Sequence, residues 1–487
     1  METTNQPIDP QLPDENTQAD VPADEQELLT PAPLPQYVQH HRPIAPSTRA
    51  SSDTVPLPSN TRAGVNAAVQ GQKMTDQVWG KALTAGVEMT PQNDGLVGAV
   101  VREGADWTDM LGTPPAPMML EHFKLAAGSG TFANTEDLRH ALRARRQTGL
   151  PTRVPLYHSG FWLRINAPSE NELISFYMEI VNDEIQMGRS TGGLIFSSTT
   201  GHYQERLMRL ALKNVHSSSL NVDPENLGKY IQMQDIPVVI WGLGAAQYPT
   251  GFKYSRACSA GPATCSHVHS ETLNLTELHI VDRSRLSEAD RLHMARRTAG
   301  THTVEEVLAY QKRAACNQPK DIVIGNPEDN LVVRLKMPNI EEYFDAKDLW
   351  IDSISDMLSA TIKTDPALRN KTMFAHGRAT ILRQYAHLVD ALIMDEREYS
   401  KRDEVNVVLD ELSTDDAVRE DIMAHASNFI NECVMSMIAV RTYDCPKCGR
   451  PQRQVKEGLA LPDVLPIDPG QVFFHLLGQK LARLNVR

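Results

Sequence analysis

Two pairs of cysteines carry the most specific chemistry in this sequence. Cys445 and Cys448 lie in "YDCPKCGRPQ". A CPxCG turn lets both sulfurs converge, its backbone amides donate to thiolates, and Gly449 permits a tight exit. That is half of a four-ligand zinc site. Cys258 and Cys265 lie in "SRACSAGPATCSHVH", with six residues and a Gly-Pro turn between them. Cys258, Cys265, Cys445 and Cys448 together make a four-cysteine set, split over segments roughly 180 residues apart. A metal joining them is a clasp, and closing so long a loop stabilises the native topology by roughly several kcal/mol. His267 and His269 adjoin Cys265. They are alternative ligands, so a site of three cysteines and one histidine stays open, as does a metal-free reading. A redox CxxC belongs at a helix start after a strand. Here the pair follows a predicted helix and precedes extended, proline-containing chain, which favours metal.

No second chemistry competes with this one. The sequence has no HExxH, GxSxG, Walker A loop or kinase set, and the expectation is a protein that is not an enzyme. Gly242-Leu243-Gly244 after an apolar run has the look of a dinucleotide loop. Gln247 occupies the sixth position, Pro249 and Gly251 interrupt the helix that should follow, and no acidic residue lies about 20 positions on. The stretch is expected to be a strand end or turn leading into extended chain. Arg143, Arg145 and Arg146 could touch phosphate, but a solvated basic helix end stabilised by the helix dipole explains them better. Cys316 and Cys433 stand alone on helical stretches as buried thiols.

Composition narrows the class. The chain has 487 residues, 41% hydrophobic and 22% charged, enough for two or three domains of a soluble globular protein. No run of about 18 apolar residues suggests a membrane span. The N-terminus lacks the basic start and apolar stretch of a secretory signal, so synthesis and folding in a cytoplasm are expected. Six cysteines in this length do not make a disulfide scaffold. Net charge is −13, and nine Asp/Glu against two Arg put −7 of it in residues 1–60. Such a chain is a poor non-specific binder of nucleic acid.

The elements that must position the cysteines follow from pattern. Residues 1–70 form a Pro-rich acidic extended arm; 11 of the 31 prolines lie in the first 60 residues, and "PAPLPQYVQHHRPIAP" is a polyproline-like run that cannot fold alone. Residues 71–150 are a mixed N-terminal region. Residues 151–340 are an α/β body carrying the first cysteine pair. Residues 341–440 have helical period almost throughout and form a helical subdomain. Residues 441–487 are a zinc knuckle and C-terminal tail. Ser287 is an expected N-cap, and Ser413 or Thr414 the cap of the last helix before the knuckle. The predicted class is α+β: a mostly helical body with small sheets, a zinc-ribbon-like four-cysteine site and an extended N-terminal arm. The tail "FFHLLGQKLARLNVR" is amphipathic, and Phe473 and Phe474 are candidate partner-binding residues or packing residues of their own domain.

The order of these features is similar to one known family. "YHSGFW" is a turn with adjacent aromatics. "MQDIPVVIWGLGAAQYPTGFKYSRAC" runs from an acidic-apolar segment through a glycine turn to a cysteine. "ETLNLTELHIVDRSRL", the CPxCG knuckle and "PIDPGQVFF" follow. From about residue 150 to 487 this succession resembles the baseplate proteins of contractile-tailed bacteriophages, in particular the T-even-like baseplate hub subunit family. The resemblance implies a structural, zinc-stabilised subunit of a virion tail baseplate, hub or wedge, made in the host cytoplasm. Its partners would be other phage tail and baseplate proteins and further copies of itself, without nucleic acid or a membrane span. The alternative is a zinc-containing nucleic-acid-binding or processing protein.

Overall fold

Short antiparallel strands and capped helices build the molecule. The computed structural model describes residues 119–120, 135, 138, 142, 146, 149–191, 196–258, 260, 263–324, 331–361, 379–395, 397–441, 444–450, 464–466 and 469–485. The expected arm (1–70), most of the 71–150 region, and Arg143 and Arg145 lie outside the described residues.

In chain order, β1 (Met119–Leu120), β2 (Thr152–Leu156), β3 (Phe161–Ile165) and β4 (Val215–Ser218) form one sheet in that order. Helices α1 (Glu170–Thr191) and α2 (Phe196–Lys213) lie between β3 and β4. Helix α3 (Ile236–Gln247) leads to a two-stranded hairpin, β5 (Phe252–Ala257) and β6 (Val268–Leu273). Next come β7 (His279–Val281), α4 (Glu288–Ala295), α5 (Val304–Arg313), β8 (Lys320–Val323), β9 (Val332–Leu335) and α6 (Ile340–Thr361). Strands β10 (Val389–Met394) and β11 (Arg397–Tyr399) join β8 and β9 in a sheet of order β11-β10-β9-β8. Helices α7 (Arg402–Leu412) and α8 (Asp416–Cys433) lead to β12 (Ser436–Arg441). Strand β12 lies between β7 and β13 (Val464–Pro466), and α9 (Pro469–Asn485) follows.

Local signals place several of these ends. Ser169 and Glu172 exchange hydrogen bonds at the start of α1. Ser287 with Asp290, and Thr303 with Glu306, make full capping boxes on α4 and α5, each satisfying two otherwise orphaned amides. The cap expected at Ser287 is therefore present. The cap of α8 is Asp415, whose carboxylate accepts from Ala417 and Val418; Ser413 instead closes α7.

Two large apolar cores are formed among the described residues. The first joins β2 and β3 to α1, α2, α3 and α9. The second packs α7 and α8 on the β8–β11 sheet, with Val405, Leu409, Ile422 and Phe429 against Val333 and Leu392. Helix α3 is apolar on every side and buried along its length. The expectation of a strand end at "IPVVIWGLGAAQ" is thus corrected: a short apolar run is ambiguous by period alone, and here burial on all sides suits a helix. Gly242 is inside it because a Cβ there would come 2.3 Å from Val154 Cγ2.

Three further expectations change. "ATILRQYAHLVDALIM" is not one helix: Ile381–Leu388 is a 3-10 turn and Val389 begins β10, where pairing with β9 overrides helical period. The helical subdomain of 341–440 consequently contains β10, β11 and most of β12, and a boundary at 440/441 cuts β12. The apolar stretch "GGLIFSS" reads as a strand by pattern; residues 192–195 lie outside the described residues, and from Phe196 the chain is α2. Phe473 and Phe474 are buried in the first core. Phe474 stacks on Phe176, and Phe473 meets Tyr248 edge-on, so these side chains are packing residues and not a docking surface.

At the centre is the turn joining β2 to β3. His158 and Ser159 are fully buried beside Asp235, the residue before α3. The Asp235 carboxylate accepts from His158 Nδ1 at 2.7 Å, from the Ser159 amide at 2.8 Å and from Ser159 Oγ at 2.6 Å. Ser159 Oγ accepts in turn from the Gln232 amide. His158 Nε2 accepts from the amide of Met435 at 2.8 Å, which fixes His158 as the neutral tautomer with its proton on Nδ1. Every carbonyl of the turn has a side-chain donor: Tyr310 on Tyr157, Asn317 on His158, Gln311 on Ser159 and His293 on Gly160. Gly160 has φ +83°, and a Cβ there would strike the Tyr310 ring.

Removing one member of such a network leaves buried partners unpaired. Asp235→Asn is expected to cost about 3–5 kcal/mol by denaturant titration, because its amide NH2 faces donors. A second expectation concerns acid. Burial, then the proximity of His293 and Arg296, brings the His302 pKa down from 6.5 to about 4, against the opposing hydrogen bond to the His293 carbonyl. Folded His302 is neutral while the unfolded chain takes up a proton below about 6.5, so its contribution is lost as pH falls from 6.5 to about 4. His302→Gln is expected to flatten the fall of Tm across that window.

Candidate metal centre

The same buried network anchors both routes to the cysteines. Asp235 precedes α3, and α3 feeds β5, which ends one residue before Cys258. Met435, held by His158, precedes β12, which runs toward the knuckle. Pairing of β7 with β12 does the rest. It is antiparallel, with Ser436 opposite Val281 and Ile438 opposite His279. The end at which the chain leaves β12 therefore lies beside the end at which the chain from the hairpin enters β7.

The hairpin presents its loop there. Strands β5 and β6 pair from Phe252↔Leu273 to Ala257↔Val268, and the Cys258 amide donates to the His267 carbonyl at 2.9 Å. The knuckle closes on itself: the Gly449 amide donates to the Cys445 carbonyl at 2.7 Å, and the Cys445 amide to the Arg450 carbonyl at 2.9 Å. Gly449 takes φ +69°, which a side chain would strain. Lys447 Nζ adds a bond to Ser266 Oγ across the two segments at 2.9 Å.

The sulfurs of Cys258, Cys265, Cys445 and Cys448 all lie within 4.8 Å of one another. Cys258 Sγ is 3.5 Å from Cys448 Sγ, and Cys265 Sγ is 3.8 Å from Cys445 Sγ. A disulfide needs about 2.05 Å. A tetrahedron with metal–sulfur bonds of about 2.3 Å has edges of about 3.8 Å. The spacing therefore fits four thiolates on one ion, and the quartet could bind a metal. Three of the four cysteines are buried, and Cys448 is exposed.

Electrostatics agree with that chemistry. Burial raises the Cys445 pKa, but the amides of Cys448 and Lys447 and the neighbouring thiols together bring it down to about 7. The Arg450 amide lowers that of Cys448, yet desolvation and the crowd of Cys258, Cys445 and Cys265 push it up to about 12. Four thiols this close cannot all ionise unaided. A divalent cation at their centre would remove the conflict by deprotonating the coordinating thiols.

The four cysteines drawn from the sequence are thus the residues that meet. Among the described residues they are the one cluster of His, Cys, Asp or Glu able to hold a metal, and His267 and His269 are outside it. His267 serves through its backbone carbonyl. Cys316 and Cys433 are buried elsewhere, as expected of structural thiols. Asp235 and His158 were not singled out as a pair by sequence pattern, since 77 residues separate them and neither belongs to a local motif. No family model matches the chain, and neither curated proteins nor solved structures provide a match.

Metal analysis of the purified protein is expected to find about one ion per chain. Cys445→Ser should abolish it and lower Tm. His267→Ala and His269→Ala should keep the ion; its loss in either would place histidine in the ligand set.

Proposed function

We propose that the chain is a non-catalytic structural subunit of a contractile-tailed bacteriophage baseplate, hub or wedge, braced by one structural zinc ion. The observation that carries this reading is the closed cysteine quartet, which ties segments 180 residues apart. Four protein thiolates fill a tetrahedral shell, the arrangement of structural sites rather than catalytic ones, which keep a position open. Zinc suits it: the ion is borderline-soft, has no redox chemistry, and accepts tetrahedral sulfur without strain.

Two other features support a role in bearing contacts rather than in turnover. The buried His158, Ser159 and Asp235 have the residue types of a hydrolytic triad, but their hydrogen bonds go to each other and to backbone groups. The order of motifs from "YHSGFW" to "PIDPGQVFF" is that of the baseplate hub family it resembles. The partners are other tail and baseplate proteins, and the location is the virion tail.

Fractionation of infected cells tests the proposal. The chain is expected to sediment with tails and with baseplate intermediates, in fixed proportion to other baseplate proteins. Its absence from both fractions would refute the assignment.

A further inference from the structure

The four sulfurs are not equivalent. Cys258, Cys265 and Cys445 are buried, while Cys448 is exposed at the tip of the knuckle turn. Its sulfur lies 3.5 Å from that of Cys258, and the other close contact, 3.8 Å, joins Cys265 to Cys445. Both contacts cross from hairpin to knuckle. A solvent-borne oxidant meets Cys448 first, and a resolving sulfur from the opposite segment is already beside it.

We propose that the quartet is also a peroxide-oxidation site, entered at Cys448 and ending as a Cys258–Cys448 disulfide that keeps hairpin and knuckle joined without metal. The idea rests on the quartet as a metal site. The oxidant is a hydroperoxide, with hydrogen peroxide as the simplest member. In the metal-loaded protein, where coordination would deprotonate it, the Cys448 thiolate attacks one peroxide oxygen. The O–O bond breaks, hydroxide leaves, and Cys448 becomes a sulfenic acid. The Cys258 thiolate then attacks the Cys448 sulfur. An S–S bond forms, the S–O bond breaks, and a second hydroxide leaves. The two sulfurs together lose two electrons and the peroxide gains them. Only Cys265 and Cys445 remain as thiolates, too few to retain a tetrahedral ion.

The geometry makes this outcome protective. A disulfide within the knuckle would join residues that are already neighbours in sequence. The Cys258–Cys448 bond closes a loop spanning 190 positions, so the unfolded chain remains constrained between the same two segments. Cys316 and Cys433 serve as internal references. Both are buried, out of reach of a solvent-borne oxidant that meets Cys448 at the surface.

The test uses the full-length, metal-loaded protein. It is treated with hydrogen peroxide in the presence of a chromogenic zinc chelator, then alkylated, digested without reductant and mapped by mass spectrometry. The expected result is metal release in step with a Cys258–Cys448 cross-linked peptide, and a loss of about two free thiols per chain. The oxidised protein should melt above reduced protein stripped of metal. A Cys316→Ser/Cys433→Ser variant should behave identically. A main product of Cys445–Cys448 or Cys258–Cys265, or metal release with only sulfinic acid formed, would overturn the inference while leaving the metal site intact. If untreated protein carries no metal, the metal reading fails separately. Disulfide mapping of that metal-free protein after peroxide still decides the pairing.

Discussion

The carboxylate of Asp235 is the point on which this architecture depends. A buried anion is tolerable only when its lone pairs are filled, and here the amide and hydroxyl of Ser159 and the ring N–H of His158 fill them. Filling them fixes the β2–β3 turn against the start of α3. It also orients the imidazole so that its other nitrogen can accept from Met435. One side chain thereby aligns three chain segments far apart in sequence. Two of those segments, α3 with β5 and the strand β12, deliver the cysteines. The cysteine quartet is the outer end of an arrangement whose inner end is a hydrogen-bond network.

What could be read from the sequence was what neighbours decide. The CPxCG turn and the cap at Ser287 depend on residue type over a few positions, and each has its expected place. The failures share a cause. "IPVVIWGLGAAQ" and "HLVDALIM" are apolar runs whose conformation is chosen by what surrounds them. The first is enclosed by β2, α2 and α9 and becomes a helix. The second finds β9 alongside and becomes a strand. Phe473 and Phe474 belong with these, because an amphipathic tail looks the same whether its apolar face meets a neighbour or its own core.

The Asp235 network was illegible for a different reason. Asp, His and Ser carry no spacing signature when they meet across 76 or 77 positions. The two halves of the cysteine quartet lie farther apart still, 180 and 190 positions, but their rarity and their ligand chemistry betrayed them. A carboxylate in a chain with 61 acidic residues does not stand out. Long-range polar contacts become visible from sequence only where the residue type is scarce and its chemistry demands a particular number of partners.

The distance between the two halves of the quartet also sets a timetable. On a ribosome the hairpin bearing Cys258 and Cys265 emerges first, with two sulfurs and no means of completing a tetrahedron. The knuckle follows 180 residues later, roughly 10–40 s at usual rates of synthesis. Until then the hairpin is a half-site, able to hold an ion only weakly. Strand β12, which must lie beside β7, is made in the same late interval. Closure of the quartet therefore comes after nearly all of the described chain exists, and the site registers that synthesis has reached the knuckle before the molecule sets into its final form.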